Sequence, residues 1–323
     1  MTIAATATPA RADTPADETQ MFDVDPEIAR RLQELDPTRI SARDVAEVLA
    51  RVPAPRIILL QGSVPLINMD PFAGFLIAMG YPADRIRNPR DGRYSESSFI
   101  DSQQLAGMVA WYYEKEGIRP VLIGHSQGGM LAIRVLYDLA GAFSDAIHVW
   151  NPLTNRAEAR TTIVDPVTGD VRPVVGLRMR YAAAIATGKL PRLLLGQWSM
   201  LSRLSRIPDS VDDFTGYSLD WDLIAGHFGR SEPYEAIGTA KVRNVTLPAT
   251  YTHIGLPLTE HLAADAATRA WIDAYVPGAT VAVPQEPGVD TTNLVHAADI
   301  WYSVKKSWCL SARRRLDVTR VTR

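Results

Sequence analysis

Between Val121 and Met130 the chain reads VLIGHSQGGM. Three branched apolar residues run into Gly-His-Ser-Gln-Gly-Gly, and a second apolar stretch, MLAIRVLYDLAGAF, begins at once. An apolar run this short, stopped by glycine and followed directly by a longer one, fits a buried strand, a tight turn and a buried helix. The helix is apolar almost all round, interrupted only by Arg134 and Asp138, so it too belongs inside. A Gly-x-Ser-x-Gly motif is uninformative alone, but between strand and helix it describes a nucleophile elbow. There the serine takes an unfavourable backbone conformation that lifts its hydroxyl clear of the sheet edge. Side chains two residues either side would collide, which accounts for Gly124 and Gly128, and Gly129 lets the helix start close to the strand. The helix N-terminus lends partial positive charge to any negative charge forming at Ser126.

The flanking sequence repeats the rhythm. RIILLQGS (Arg56 to Ser63) is another buried strand stopped by glycine, and DPFAGFLIAMG is helical, ending at Gly80. From Ser102 a helix places Leu105, Met108, Val109 and Tyr112 on one face and ends at Gly117 and Pro120. AIHVWNP (Ala146 to Pro152) reads as a third strand. Strand and helix alternating in this way predict an α/β fold, a mostly parallel central sheet covered by helices on both faces. Between Asn155 and Pro208 the rhythm breaks. A hairpin turning at Val167 to Asp170 precedes a stretch of helical character from Tyr181 onward, broken around Gly188 and Pro191. Residues 155–208 are therefore expected to be an insertion, a lid or cap over the sheet. Alternation resumes in DDFTGYSLDWDLIAG, KVRNVTLPATYTH and a terminal helix. The resulting plan is a leader over residues 1–22, a discontinuous core over 23–154 and 209–311, and a basic tail over 312–323.

Composition removes several classes. The 323 residues carry 46% hydrophobic and 22% charged residues with a formal net charge of -2, so there is no basic field for nucleic acid. A single cysteine, Cys309, excludes an internal disulfide. No apolar run approaches the roughly 20 residues of a membrane span. The N-terminal 20 residues lack the continuous apolar stretch of a secretory signal, so a cytoplasmic location is the default expectation. The sequence contains no metal-ligand motif, no phosphate-binding glycine loop and no dinucleotide fingerprint, so no cofactor is expected.

VLIGHSQGG, the upstream RIILLQGS and a histidine late in the chain together resemble the α/β-hydrolase superfamily, in its bacterial lipase and esterase branch. The resemblance runs from about Arg56 to Val276, apart from the insertion. It implies an α/β-hydrolase fold and a serine that cleaves carboxylic esters through an acyl-enzyme, acting on a small ester or a lipid. An acyl-transfer serine needs two N–H donors for the oxyanion. One is the amide of Gln127, after the nucleophile. The other, in the resembling lipases, follows a His-Gly pair that ends an earlier strand. Here Gln61-Gly62 replaces that pair, and the carry-over points to the amide of Ser63.

The order Ser, acid, His in this fold asks for a base late in the chain. His253, in a loop before the last core helix, suits it best of the six histidines, while His125 reads as structural with its ring turned from the hydroxyl. Asp222, followed by Leu223, Ile224 and Ala225, resembles the lipases' acid, with Asp220 as the alternative. Leu194 and Trp198, in the insertion, are candidate acyl-binding residues. Three other readings stay open. The same triad serves acyl transfer to an alcohol or amine, a silent hydrolase fold serves as a binder of an apolar ligand, and the basic tail with Trp301, Tyr302 and Trp308 suits peripheral membrane contact.

Overall fold

The computed structural model of the chain describes residues 24–63, 67–188, 198–279, 282–285 and 287–321. The expected leader and Leu194 lie outside the described residues. Among the described residues, twelve strands follow in chain order: β1 (Ile57–Leu60), β2 (Ser95–Glu96), β3 (Val121–His125), β4 (Trp150–Asn151), β5 (Arg156–Ala157), β6 (Thr162–Val164), β7 (Val171–Pro173), β8 (Met179–Ile185), β9 (Arg206–Ile207), β10 (Val211–Ser218), β11 (Glu235–Ala236) and β12 (Lys241–Thr246). Six of them form the central sheet in the order β12-β10-β8-β3-β1-β2, and every adjacent pair is parallel.

Parallel strands need crossovers that cover the sheet, and the burial pattern records this. All four residues of β1 and all five of β3 are buried. Alternate residues serve opposite layers. Leu59 and Ile123 join the core with helices α1 (Pro26–Glu34) and α3 (Asp70–Ala78) and the long C-terminal helix Leu294–Val321. Ile58, Leu60 and Leu122 join the core with α4 (Ser102–Glu116) and α5 (Gln127–Leu139), each of these helices numbered as in chain order after α2 (Ala42–Glu47). Asp101 caps α4 by accepting the amides of Gln103 and Gln104, and Gly117 ends it with φ 71°, a conformation that glycine adopts without strain.

Three expectations are corrected. The third strand of the sheet is not Ala146–Pro152, of which only Trp150–Asn151 is extended, paired antiparallel with Arg156–Ala157 outside the sheet. Its place is taken by β8, Met179–Ile185, between β3 and β10. Residues 155–208 are consequently not a single insertion, since their middle supplies a central strand. Alanine favours helices in isolation, but Ala182, Ala183 and Ala184 are fully buried here. The small side chains let α5 approach, and a Cβ on Gly129 would lie 3.3 Å from the Ala184 Cα. The expected hairpin at Val167–Asp170 is present as β6 paired antiparallel with β7.

The third correction concerns the basic tail. The C-terminal helix continues to Val321, and Arg313 donates to the carbonyls of Leu32 and Leu35 while Arg315 donates to that of Pro166. Trp301 and Trp308 are completely buried and Lys305 gives its ammonium to the Ile40 carbonyl at 2.6 Å. Of the residues that suited membrane contact, Trp301, Trp308, Lys305, Arg313 and Arg315 hold this helix to the body. Among the described residues no helix is long and apolar enough to cross a membrane.

Candidate active site

β3 ends at His125 and α5 begins at Gln127, so Ser126 alone makes the turn. Its backbone sits at φ 54°, ψ −119°, a conformation side-chain-bearing residues avoid. Bonds on both sides hold it there: its N–H donates to the Ile185 carbonyl at 2.8 Å, and its carbonyl accepts from Thr187 Oγ1 at 3.2 Å. The neighbouring glycines are required by space. A Cβ on Gly124 would stand 2.2 Å from the Gly128 carbonyl oxygen, and one on Gly128 2.2 Å from that of Leu60. The end of β1 thus lies directly against the turn.

His253 opens a short 3-10 turn, His253–Gly255, and Asp222 lies in the loop after β10. His253 Nε2 is 2.9 Å from Ser126 Oγ, and its Nδ1 is 2.7 Å from Asp222 Oδ2. The second Asp222 oxygen accepts the Ala225 amide at 3.0 Å. Ser126, Asp222 and His253 are all buried. Burial pushes the Asp222 carboxyl up, but the His253 hydrogen bond and the Ala225 amide outweigh it and hold the group below the ordinary carboxylate range. With Asp222 ionised, Nδ1 of His253 carries the proton and Nε2 faces the serine as acceptor. Asp220 takes no part: it is exposed, and among the described residues its carboxylate accepts the Ser231 amide at 3.4 Å.

The candidate oxyanion donors border the same hydroxyl. Gln127 supplies a first-turn amide of α5, which helix geometry leaves without an intrahelical acceptor. A Cβ on Gly62 would come within 3.3 Å of Ser126 Cβ, so Gly62 lies beside Ser126, with the half-buried Ser63 following it. Ser98 fixes this edge, donating from Oγ to the Gly62 carbonyl at 3.1 Å and accepting the Gln127 side-chain amide at 3.3 Å. Trp198 begins a 3-10 turn, Trp198–Met200, and is 62% exposed.

His125 does more than the sequence suggested. Its Nε2 donates to the backbone carbonyl of His253 at 2.8 Å, and the two rings sit 5.0 Å apart. Burial, then the adjoining His253 ring, push its pKa down to about 3, so it stays neutral. Nothing in the residue pattern marks a tether between positions 128 residues apart. Thr187 is missed for a related reason, since it follows a strand whose alanines read as helix. No metal-capable group of three or more His, Cys, Asp or Glu occurs among the described residues. No protein-family model, curated protein or solved structure shows significant similarity to this chain.

Proposed function

We propose that this chain is a serine hydrolase of the α/β-hydrolase type that cleaves carboxylic esters. The observation that carries the reading is the Asp222–His253–Ser126 relay, two short hydrogen bonds in series that end on a serine held in a strained turn. In this mechanism Ser126 Oγ attacks the ester carbonyl carbon and its proton passes to His253 Nε2. The carbonyl π electrons move onto oxygen, where the amides of Gln127 and Ser63 receive them. Collapse of that adduct expels the alcohol, which takes the proton from His253. Water then attacks the acyl-enzyme, gives a proton to His253, and the acid leaves as Ser126 recovers its hydrogen. Asp222 stays ionised throughout, orienting the ring and balancing its charge.

The rim of the site favours an apolar acyl or alcohol group. Leu223 and Ile224 beside the acid, Phe228 further along its loop, and Ile254 beside the base are each at least half exposed. The rest of the expected cap around Leu194, residues 189–197, lies outside the described residues. Gly188 abuts the acid loop, where a Cβ would stand 1.9 Å from the Ala225 carbonyl. Acyl transfer to an alcohol or amine uses the same steps with another acceptor in place of water.

A fluorophosphonate tests the reading, because Oγ displaces fluoride from phosphorus and leaves a stable bond. The wild type is expected to label and to hydrolyse p-nitrophenyl esters, while Ser126→Ala does neither, with kcat lower by on the order of 10⁶. A wild-type protein inert to the probe and to esters of every chain length would leave only the silent binder.

A further inference from the structure

The loop that carries His253 is gripped by side chains from outside it. His125 Nε2 donates to the His253 carbonyl at 2.8 Å, and His296 Nε2 donates to that of Leu256 at 2.9 Å. Asn293 Nδ2 donates twice, to the carbonyls of Gly255 at 2.7 Å and Leu258 at 2.9 Å. Both hydrogens of its amide nitrogen thus go to one loop. The Gly255 carbonyl also accepts the Leu258 amide at 2.9 Å, which closes a turn directly after the base. Asn293 therefore holds both ends of that turn.

Asn293 stands immediately before the C-terminal helix, which begins at Leu294. Asparagine there ordinarily caps the helix: its backbone is extended, and its side-chain oxygen accepts an amide two or three residues on. Asn293 does neither. Its φ is 68°, in the left-handed region, and its Oδ1 accepts no hydrogen bond among the described residues. The Val295 amide, which a capping oxygen would take, donates instead to the Tyr251 hydroxyl at 3.1 Å. Capping has passed to another residue, and Asn293, 2% exposed, turns its nitrogen to the loop. An uncommon backbone conformation that aims a buried donor pair at a neighbouring turn is set by that turn, not by the helix.

We propose that Asn293 is a positioning residue for the base, fixing through Gly255 and Leu258 the turn that sets the His253 imidazole between Asp222 and Ser126. The inference rests on the ester-hydrolase reading of the site. The ring must meet two short bonds at once, 2.7 Å to Asp222 Oδ2 and 2.9 Å to Ser126 Oγ. A misplacement of about 1 Å at such a pair costs about 10²-fold in rate. Asn293 acts through the loop backbone, so the effect falls on turnover and not on substrate binding.

Asn293→Asp is the main variant, because aspartate caps a helix as well as asparagine but brings no N–H to the two carbonyls. Asn293→Gly accompanies it, since glycine takes φ 68° without strain and so removes the donors while easing the backbone. Both are compared with wild type in p-nitrophenyl ester hydrolysis per folded molecule and in thermal unfolding. The third measurement is the downfield proton resonance of His253 Nδ1–H in its bond to Asp222, assigned by its loss in His253→Gln. Both variants are expected to lower kcat by about 10- to 100-fold with KM within about twofold, and to shift or broaden that resonance. Wild-type kcat in a folded Asn293→Asp would overturn the proposal and make Asn293 a helix cap. An unmoved resonance in both variants, or a higher KM at constant kcat, would overturn it as well. A wild type inert to esters and to fluorophosphonate would remove the ester reading instead, and the resonance would then decide alone whether Asn293 holds the ring against Asp222.

Discussion

The carboxyl end of the sheet and the face beneath the C-terminal helix each bury a carboxylate, and they use it differently. Asp222 accepts from His253 and from one backbone amide, and His253 passes the link on to Ser126. Asp299 is completely buried and accepts from the Tyr217 hydroxyl at 2.5 Å, the Tyr275 hydroxyl at 3.0 Å and Arg243. The first chain of bonds ends on a hydroxyl held at positive φ, the group the proposed mechanism uses as nucleophile. The second ends in groups that hold two strands, a loop and a helix together. A buried, well-bonded charge therefore marks a reactive site only when its last partner can change covalently.

The contrast breaks most readily at Asp222. If the carboxylate acts through His253, Asp222→Asn should lower kcat for p-nitrophenyl ester hydrolysis by roughly 10³ to 10⁴, through loss of the tautomer and of the counter-charge. Exposed Asp220→Asn should stay within about tenfold of wild type. A loss of stability in Asp222→Asn with near-normal turnover would make Asp222 a second Asp299, and the two regions would no longer differ in kind.

Asp299→Ala sharpens the other half. It strands the Arg243 guanidinium and two tyrosine hydroxyls, and breaking a buried pair costs about 3–5 kcal/mol. Arg243 keeps a third of its side chain in water, so the lower end, about 3 kcal/mol, is expected in urea unfolding. Turnover per folded molecule should match wild type within about twofold. A normal unfolding midpoint with lost turnover would tie this network to the chemistry instead.

The two regions also differ in how far they can be read from sequence. The elbow is local: the strand, the serine, the glycines and the helix are contiguous, and each residue type follows from the steric needs of one turn. His253 and Asp222 were reachable through chain order and the pattern that resembles the lipases. β8 was hidden because Tyr181-Ala-Ala-Ala-Ile has no strand composition, and only the close approach of α5 explains its alanines. The docking of the C-terminal helix was not legible in the basic tail, because arginine pattern does not reveal that Arg313 and Arg315 reach carbonyls far away in the chain. Long-range partners of polar groups depend on register and docking, which a single sequence does not encode locally.

The smallest expected effect lies at His125, which belongs to both categories: a buried, static group that touches the base. Its Nε2–H holds the His253 carbonyl, so in the proposed mechanism it positions the base without meeting substrate. Gln presents an N–H at a similar reach and cannot titrate, whereas Phe fills the space without a donor. His125→Phe should lower kcat by about tenfold with KM unchanged, since a carbonyl left without its partner is worth about 1–3 kcal/mol and the loop carrying the base relaxes. His125→Gln should recover kcat to within about threefold. Acid stability supplies an independent readout. The folded-state pKa is pushed down to about 3 by burial and His253, below the 6.5 of an unperturbed histidine. The unfolded chain therefore takes up a proton that the native state refuses, and stability is lost as pH falls from about 6.5 toward 3. His296, pushed down to about 4 by burial, acts in the same direction and remains in the variant. His125→Gln should thus show a shallower fall in melting temperature between pH 6.5 and 4 than wild type, without losing that slope entirely. Equal turnover in the Phe and Gln variants would remove the positioning role, and an unchanged acid slope would mean that His125 is not held neutral.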